Sequence, residues 1–116
     1  MKKLLLLIAV TFISVTSSFA SHFMGADITY THINGNDYEV TLTVYTDCAG
    51  IAAQNSQIVN FQSSSCGQNF NITLPLNQTV DVSQPCSTVS TTCNGGTAPG
   101  ENKNIYSGVA TLTPCS

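Results

Sequence analysis

The clearest hydrophobic pattern in the chain lies in Ala26–Cys48, ADITYTHINGNDYEVTLTVYTDC, where two period-2 runs flank Asn34-Gly35-Asn36-Asp37. In the second run Tyr38, Val40, Leu42 and Val44 fall on one face, and Glu39, Thr41, Thr43 and Tyr45 on the other. That alternation is what a half-buried strand requires. The first run is shorter, with Ile28 and Tyr30 on one side and Thr29 and Thr31 on the other. Asn-Gly between such runs predicts an antiparallel hairpin, and the four polar residues predict a loop longer than the two-residue kind.

Further along, Gln57–Ser63 reads as a weak strand with Val59 and Phe61 on one face. Ser63–Gly67 reads as a turn, and Asn69–Leu76 alternates again through Phe70, Ile72, Leu74 and Leu76. Pro75 predicts a strand end or an edge there, because proline has no N–H for a ladder. Thr79–Val82 is a short strand candidate. Ile105–Thr113 is the last, with Tyr106, Ala110 and Leu112 in phase and Gly108 read as a bulge. No helical period runs through the region after residue 20. Short strands about 10 residues apart predict an all-β fold, an Ig-like antiparallel β-sandwich. Six strands leave that sandwich incomplete, and in a truncated remnant the edge of the last strand would be exposed. There is no tryptophan to match the one in antibody domains.

Residues 1–20 break this pattern and read as a targeting segment. Lys2-Lys3 is a positive n-region, Leu4–Ile13 an apolar stretch, and Ser18-Phe19-Ala20 offers small residues at −3 and −1. Cleavage after Ala20 is expected, since the apolar stretch falls short of the roughly 20 residues a spanning helix needs. No Leu-x-x-Cys lipid-attachment pattern follows. The sequence therefore divides into a signal peptide, 1–20, and one small domain, 21–116, secreted or held at the cell surface, with no membrane span after cleavage.

Charge narrows the partners. Past residue 20, Lys103 is the one basic side chain against Asp27, Asp37, Glu39, Asp47, Asp81 and Glu101. Five net negative charges and no arginine exclude counterion release from phosphates, and with it nucleic-acid binding. Anionic lipid is disfavoured for the same reason.

All five cysteines, Cys48, Cys66, Cys86, Cys93 and Cys115, lie past the leader, so disulfides in an oxidising compartment are expected. The odd number leaves at least one thiol without an intramolecular partner. Ser83–Lys103, SQPCSTVSTTCNGGTAPGENK, is long, polar and irregular, and a Cys86–Cys93 bridge would hold it compact. Such a bridge is worth roughly 2–4 kcal/mol. The pairing of Cys48, Cys66 and Cys115 stays open. Asn94, Gly95, Gly96, Pro99 and Gly100 form the candidate binding loop within this segment.

No catalytic constellation emerges. Successive cysteines stand 18, 20, 7 and 22 residues apart with no C-x-x-C, so no zinc site is expected. Asp47 beside Cys48 would raise a thiol pKa, the wrong direction for a nucleophile. The carboxylates are too scattered to nominate a glycosidase pair. Gly95-Gly96 and Pro99-Gly100 lack the following helix and Lys-Ser/Thr of a phosphate loop and read as turns. Asn71-Ile72-Thr73 and Asn77-Gln78-Thr79 are sequons, relevant only in a eukaryotic secretory host. No cofactor is expected. A small copper-active enzyme is the competing reading: were cleavage to fall after Ser21, the new N-terminus at His22 and the ring of His32 could chelate copper. That cut puts Phe19 at −3, which disfavours it. A small secreted carbohydrate-active enzyme and a non-functional truncated remnant also compete.

Ser21–Cys48 resembles the N-terminal module of large secreted surface proteins of the Bacteroidetes type. In that group a signal peptide precedes a His-x-x-Gly-Gly-Glu-Ile-Thr-Tyr start and a Tyr-x-(Val/Ile)-Thr-Leu-x-(Val/Leu)-Tyr-Arg-Asp-Cys strand. The matching residues here are His22, Gly25, Ile28-Thr29-Tyr30, Tyr38, Val40-Thr41-Leu42, Tyr45 and Asp47-Cys48. Thr92–Gly96, Pro99-Gly100 and Ile105–Leu112 are similar too. Ala26-Asp27 stand where Gly-Glu is usual, and Thr46 where Arg is usual. Family members continue into a Trp-containing strand, often PKD-like repeats and a C-terminal domain for gliding-associated, type IX secretion. The resemblance thus implies the start of an adhesin-like protein, cut short, with a surface protein or polysaccharide as partner and no catalytic activity.

Overall fold

The computed structural model describes residues 23–115, which place the leader and His22 outside the described residues. Five strands run β1 (Phe23–Asn34), β2 (Asp37–Asp47), β3 (Ser56–Ser63), β4 (Gln68–Asp81) and β5 (Glu101–Thr111), with a 3-10 turn at Thr92–Asn94. Every pairing is antiparallel, and the strands join into one sheet in the order β1-β2-β5-β4-β3. The expected all-β antiparallel architecture is present. The described strands make one sheet that curls, where the strand spacing predicts an Ig-like pair of sheets.

The β1–β2 hairpin is tighter than expected. Asn34 pairs with Asp37, so the loop is Gly35-Asn36 alone, with Gly35 at φ 51° and Asn36 at negative φ. This sign pattern is that of a type II′ turn, whose twist suits a hairpin. The other polar residues expected in the loop belong to the ladder.

β4 joins two segments that the sequence separated. Gln68–Pro75 pairs with β3 and Leu76–Asp81 pairs with β5. Pro75 sits at the handover, where its missing N–H costs least, and a register shift follows between Leu76 and Gln78. The handover carries the β3–β4 hairpin over the inner face of β2 and β5. There Leu74 is wholly buried with Val40, Val44, Tyr106 and Ala110, and Leu42, Val59, Phe61, Ile72 and Leu76 pack around them. The rings of the paired residues Phe61 and Phe70 stack at 5.3 Å.

Gly108 marks no bulge. It pairs with Val40 in an unbroken β2–β5 ladder, and a Cβ there would meet Leu74 Cδ2 at 2.8 Å. The glycine leaves room for Leu74 where the hairpin packs directly onto β5. The expectation of an exposed last strand also fails: β5 lies between β2 and β4, and the open edges belong to β1 and β3.

Two polar residues, Asn104 and Thr46, are buried beside the core. The Asn104 side-chain amide donates to the Val44 carbonyl at 3.2 Å and to Thr46 Oγ1 at 2.9 Å, and its Oδ1 accepts from Thr79 Oγ1 at 2.9 Å. These bonds link β2, β5 and β4 across the sheet. Asn104→Ala strands the partners, so the expected loss is about 1–3 kcal/mol of unfolding free energy. Urea denaturation checks it, and a loss below about 0.5 kcal/mol, as at an ordinary surface site, would contradict it.

Candidate binding surface

The irregular segment after β4 is tied to the sheet by its neighbours in the ladder. The β2–β5 register pairs Asp47 with Glu101, and the next hydrogen bond runs from Cys48 N–H to the Gly100 carbonyl at 3.0 Å. Cys48 therefore leaves β2 beside the residue that enters β5. Gly100 is buried there, and a Cβ on it would lie 2.6 Å from Cys93 Sγ. The space that a side chain would fill holds the bridge: Cys48 is bonded to Cys93, with Cα atoms 4.9 Å apart.

The expected Cys86–Cys93 bridge is thus corrected. Cys86 is exposed and free, and its carbonyl accepts from Val89 N–H in a separate turn. Closeness in sequence misleads here, because the partner is chosen by the pairing of two strands that the sequence keeps far apart. The second disulfide joins Cys66 to Cys115. Beside it, the Gln68 side-chain amide donates to the Thr113 carbonyl at 2.6 Å and accepts from Thr113 N–H at 3.1 Å. Each end of β5 is therefore stapled, one end to the turn after β2 and the other to the β3–β4 turn.

Within the loop, Thr91 bridges to Ala98, and Thr92 N–H donates to the Ala98 carbonyl at 2.8 Å. Of the five residues nominated from the sequence, Asn94, Gly95 and Pro99 are exposed, Gly96 is half-buried against Ser90, and Gly100 is buried. The latter two shape the loop from inside. Pro99 lines a cleft of about 400 Å³ with Met24, Asp47, Ser83, Gln84 and Glu101.

Asp81, at the end of β4, anchors the base of this loop. Its carboxylate accepts from the Ser83 hydroxyl at 2.5 Å, from Ser83 N–H at 2.9 Å and from the Asn94 amide at 3.0 Å. The Ser83 hydroxyl bond chiefly, then its N–H and, least, the Asn94 amide hold the Asp81 pKa below the ordinary 3.8, against an opposing effect of desolvation. A depressed carboxylate contributes stability above its unfolded pKa and loses it as pH falls through the lower folded value. The Asp81–Asn94 contact should therefore persist down through pH 3.8 and loosen only below it. Carboxyl-carbon NMR of Asp81 checks this, and a midpoint at or above 3.8 would contradict it.

Two further surfaces lie on the sheet, away from the loop. On the outer face, Thr29, Thr41 and Ser107 lie in register across β1, β2 and β5, and Asn77 donates to the Ser107 hydroxyl. On the inner face, Ile28, Tyr30, Tyr38, Val40, Phe61 and Leu112 help to line a groove of about 490 Å³. The Tyr30 and Tyr38 rings meet edge-on at 6.1 Å, with His32 5.1 Å from Tyr38. The sequence marks these residues as core-facing, and strand alternation alone does not reveal that this end of the face lies open. His32 is exposed and its Nε2 lies 3.0 Å from the Gly35 carbonyl oxygen. Among the described residues no three His, Cys, Asp or Glu side chains come together as a metal-binding group. No helix among them is long and apolar enough to cross a membrane. Comparisons with protein-family models, curated proteins and solved structures find no match to this chain.

Proposed function

We propose that this chain is a secreted or cell-surface structural and adhesive module, which acts by contact with a surface protein or polysaccharide and not by catalysis. The observation that carries the reading is the Cys48–Cys93 bridge, which fixes a long polar loop onto the end of a sheet. A loop ordered before it meets a partner loses less conformational entropy on binding, so its polar groups convert more fully into affinity. The aligned hydroxyls of Thr29, Thr41 and Ser107 offer a second polar contact surface. Two disulfides belong to an oxidising compartment, which agrees with the leader read at residues 1–20. The resemblance to Bacteroidetes-type surface modules supports the same reading.

The test is retention of the oxidised chain on insoluble polysaccharides and on immobilised outer-surface proteins, with soluble products assayed in parallel. Retention that falls at least tenfold in a Cys48→Ser, Cys93→Ser variant is expected, with no products released. Hydrolysis or oxidation of a polysaccharide by the purified chain would overturn the proposal.

A further inference from the structure

β1 ends the sheet and bonds to β2 alone. All 12 of its residues are exposed, on both faces. Phe23, Met24, Ile28, Tyr30 and Ile33 stand 57, 61, 51, 76 and 49 % exposed. Natural edges are ordinarily blunted by lysine, proline, short length or a central bulge. β1 has neither lysine nor proline, and its register shifts lie at its ends, between Phe23 and Gly25 and between His32 and Asn34. Gly25–His32 is left regular and open.

We propose that this edge pairs with the same edge of a second copy, antiparallel about a two-fold axis at Ile28, to make one continuous ten-stranded sheet. The strand is complementary to itself in that register. Within the regular stretch Ile28 meets Ile28 of the copy and Tyr30 meets the small Ala26. Asp27, the one carboxylate on the strand, meets Thr29. An axis at Asp27 would set two carboxylates directly opposite, which destabilises a cross-strand pair. An axis at Thr29 would carry Phe23 past the end of the partner strand.

The side chains beside the axis suit self-pairing: Ile28 and Tyr30 stand 51 and 76 % exposed on the face that lines the groove, and the copy brings the same two beside them. A strand of unrelated sequence would meet the same backbone groups without this matching of side chains.

The experiment is sedimentation equilibrium of the oxidised chain from Ser21 onward, in a Cys86→Ser background that removes linkage through the free thiol. Twice the monomer mass at micromolar concentration is expected, falling to the single mass in Ile28→Lys. In the same background, Ile28→Cys should oxidise to an interchain disulfide. Tyr30→Cys should not, since its counterpart lies four positions, about 13 Å, along the partner strand. A monomer throughout, a dimer indifferent to Ile28→Lys, or equal cross-linking at both positions would each overturn the proposal.

Discussion

Removing the Cys48–Cys93 bridge by Cys48→Ser with Cys93→Ser is expected to lower the unfolding free energy by about 4 kcal/mol. The figure follows from the 45-residue separation it closes, in the chain-entropy description of disulfides. Much of a small domain's stability is at stake, since folded domains hold only about 5–15 kcal/mol in total. For a domain of this size the melting temperature should drop by roughly 15–30 °C. The loss has a local part as well. Without the bridge the segment between β4 and β5 retains the Asp81 contacts and the short Thr91–Ala98 bridge, so it should become the first site of proteolytic cleavage. Circular dichroism melts and limited proteolysis of oxidised protein check both parts. Cys86→Ser, at an exposed free thiol, should change neither. An equal effect from Cys86→Ser would mean that Cys86 belongs to a bridge.

The second large effect is expected at Leu74. This side chain is wholly buried, where the β3–β4 hairpin meets β2 and β5, and Gly108 is shaped to receive it. Leu74→Ala deletes the central contact of a small core, and the surroundings cannot close a cavity walled by strands held in register. The expected loss is about 2–5 kcal/mol in urea denaturation. Ile58→Ala on β3, at a position 70 % exposed, is the control and should stay within about 0.5 kcal/mol. Comparable losses at the two positions would place the core elsewhere.

β2 is legible in the sequence because period-2 alternation reports which face is buried. Val40 and Val44 are in the core, as their phase requires. The same signal misleads at β1. Ile28 and Tyr30 alternate as a half-buried strand would, yet both are exposed, because burial depends on what lies across the face and the hairpin covers β2 and β5 instead. Pro75 does mark a place where a ladder changes. Local pattern does not show that the strand continues through it and takes a new partner. The disulfides are illegible for a related reason: Cys48 and Cys93 meet through the β2–β5 register, a long-range pairing that spacing does not encode. Asn94, Gly95 and Pro99 are where turn chemistry puts them, on the surface. Gly96 and Gly100 look the same in sequence and serve the inside of the loop.

Since the proposed binding role depends on how the loop is fastened, disulfide mapping is the decisive experiment. Protein from an oxidising compartment would be alkylated without reduction, cleaved with pepsin at acid pH to suppress exchange, and its linked peptides identified by mass. The expected result is Cys48 joined to Cys93, Cys66 joined to Cys115, and Cys86 alkylated. A peptide joining Cys86 to Cys93 would contradict it, and would detach the proposed binding loop from the sheet that is said to hold it.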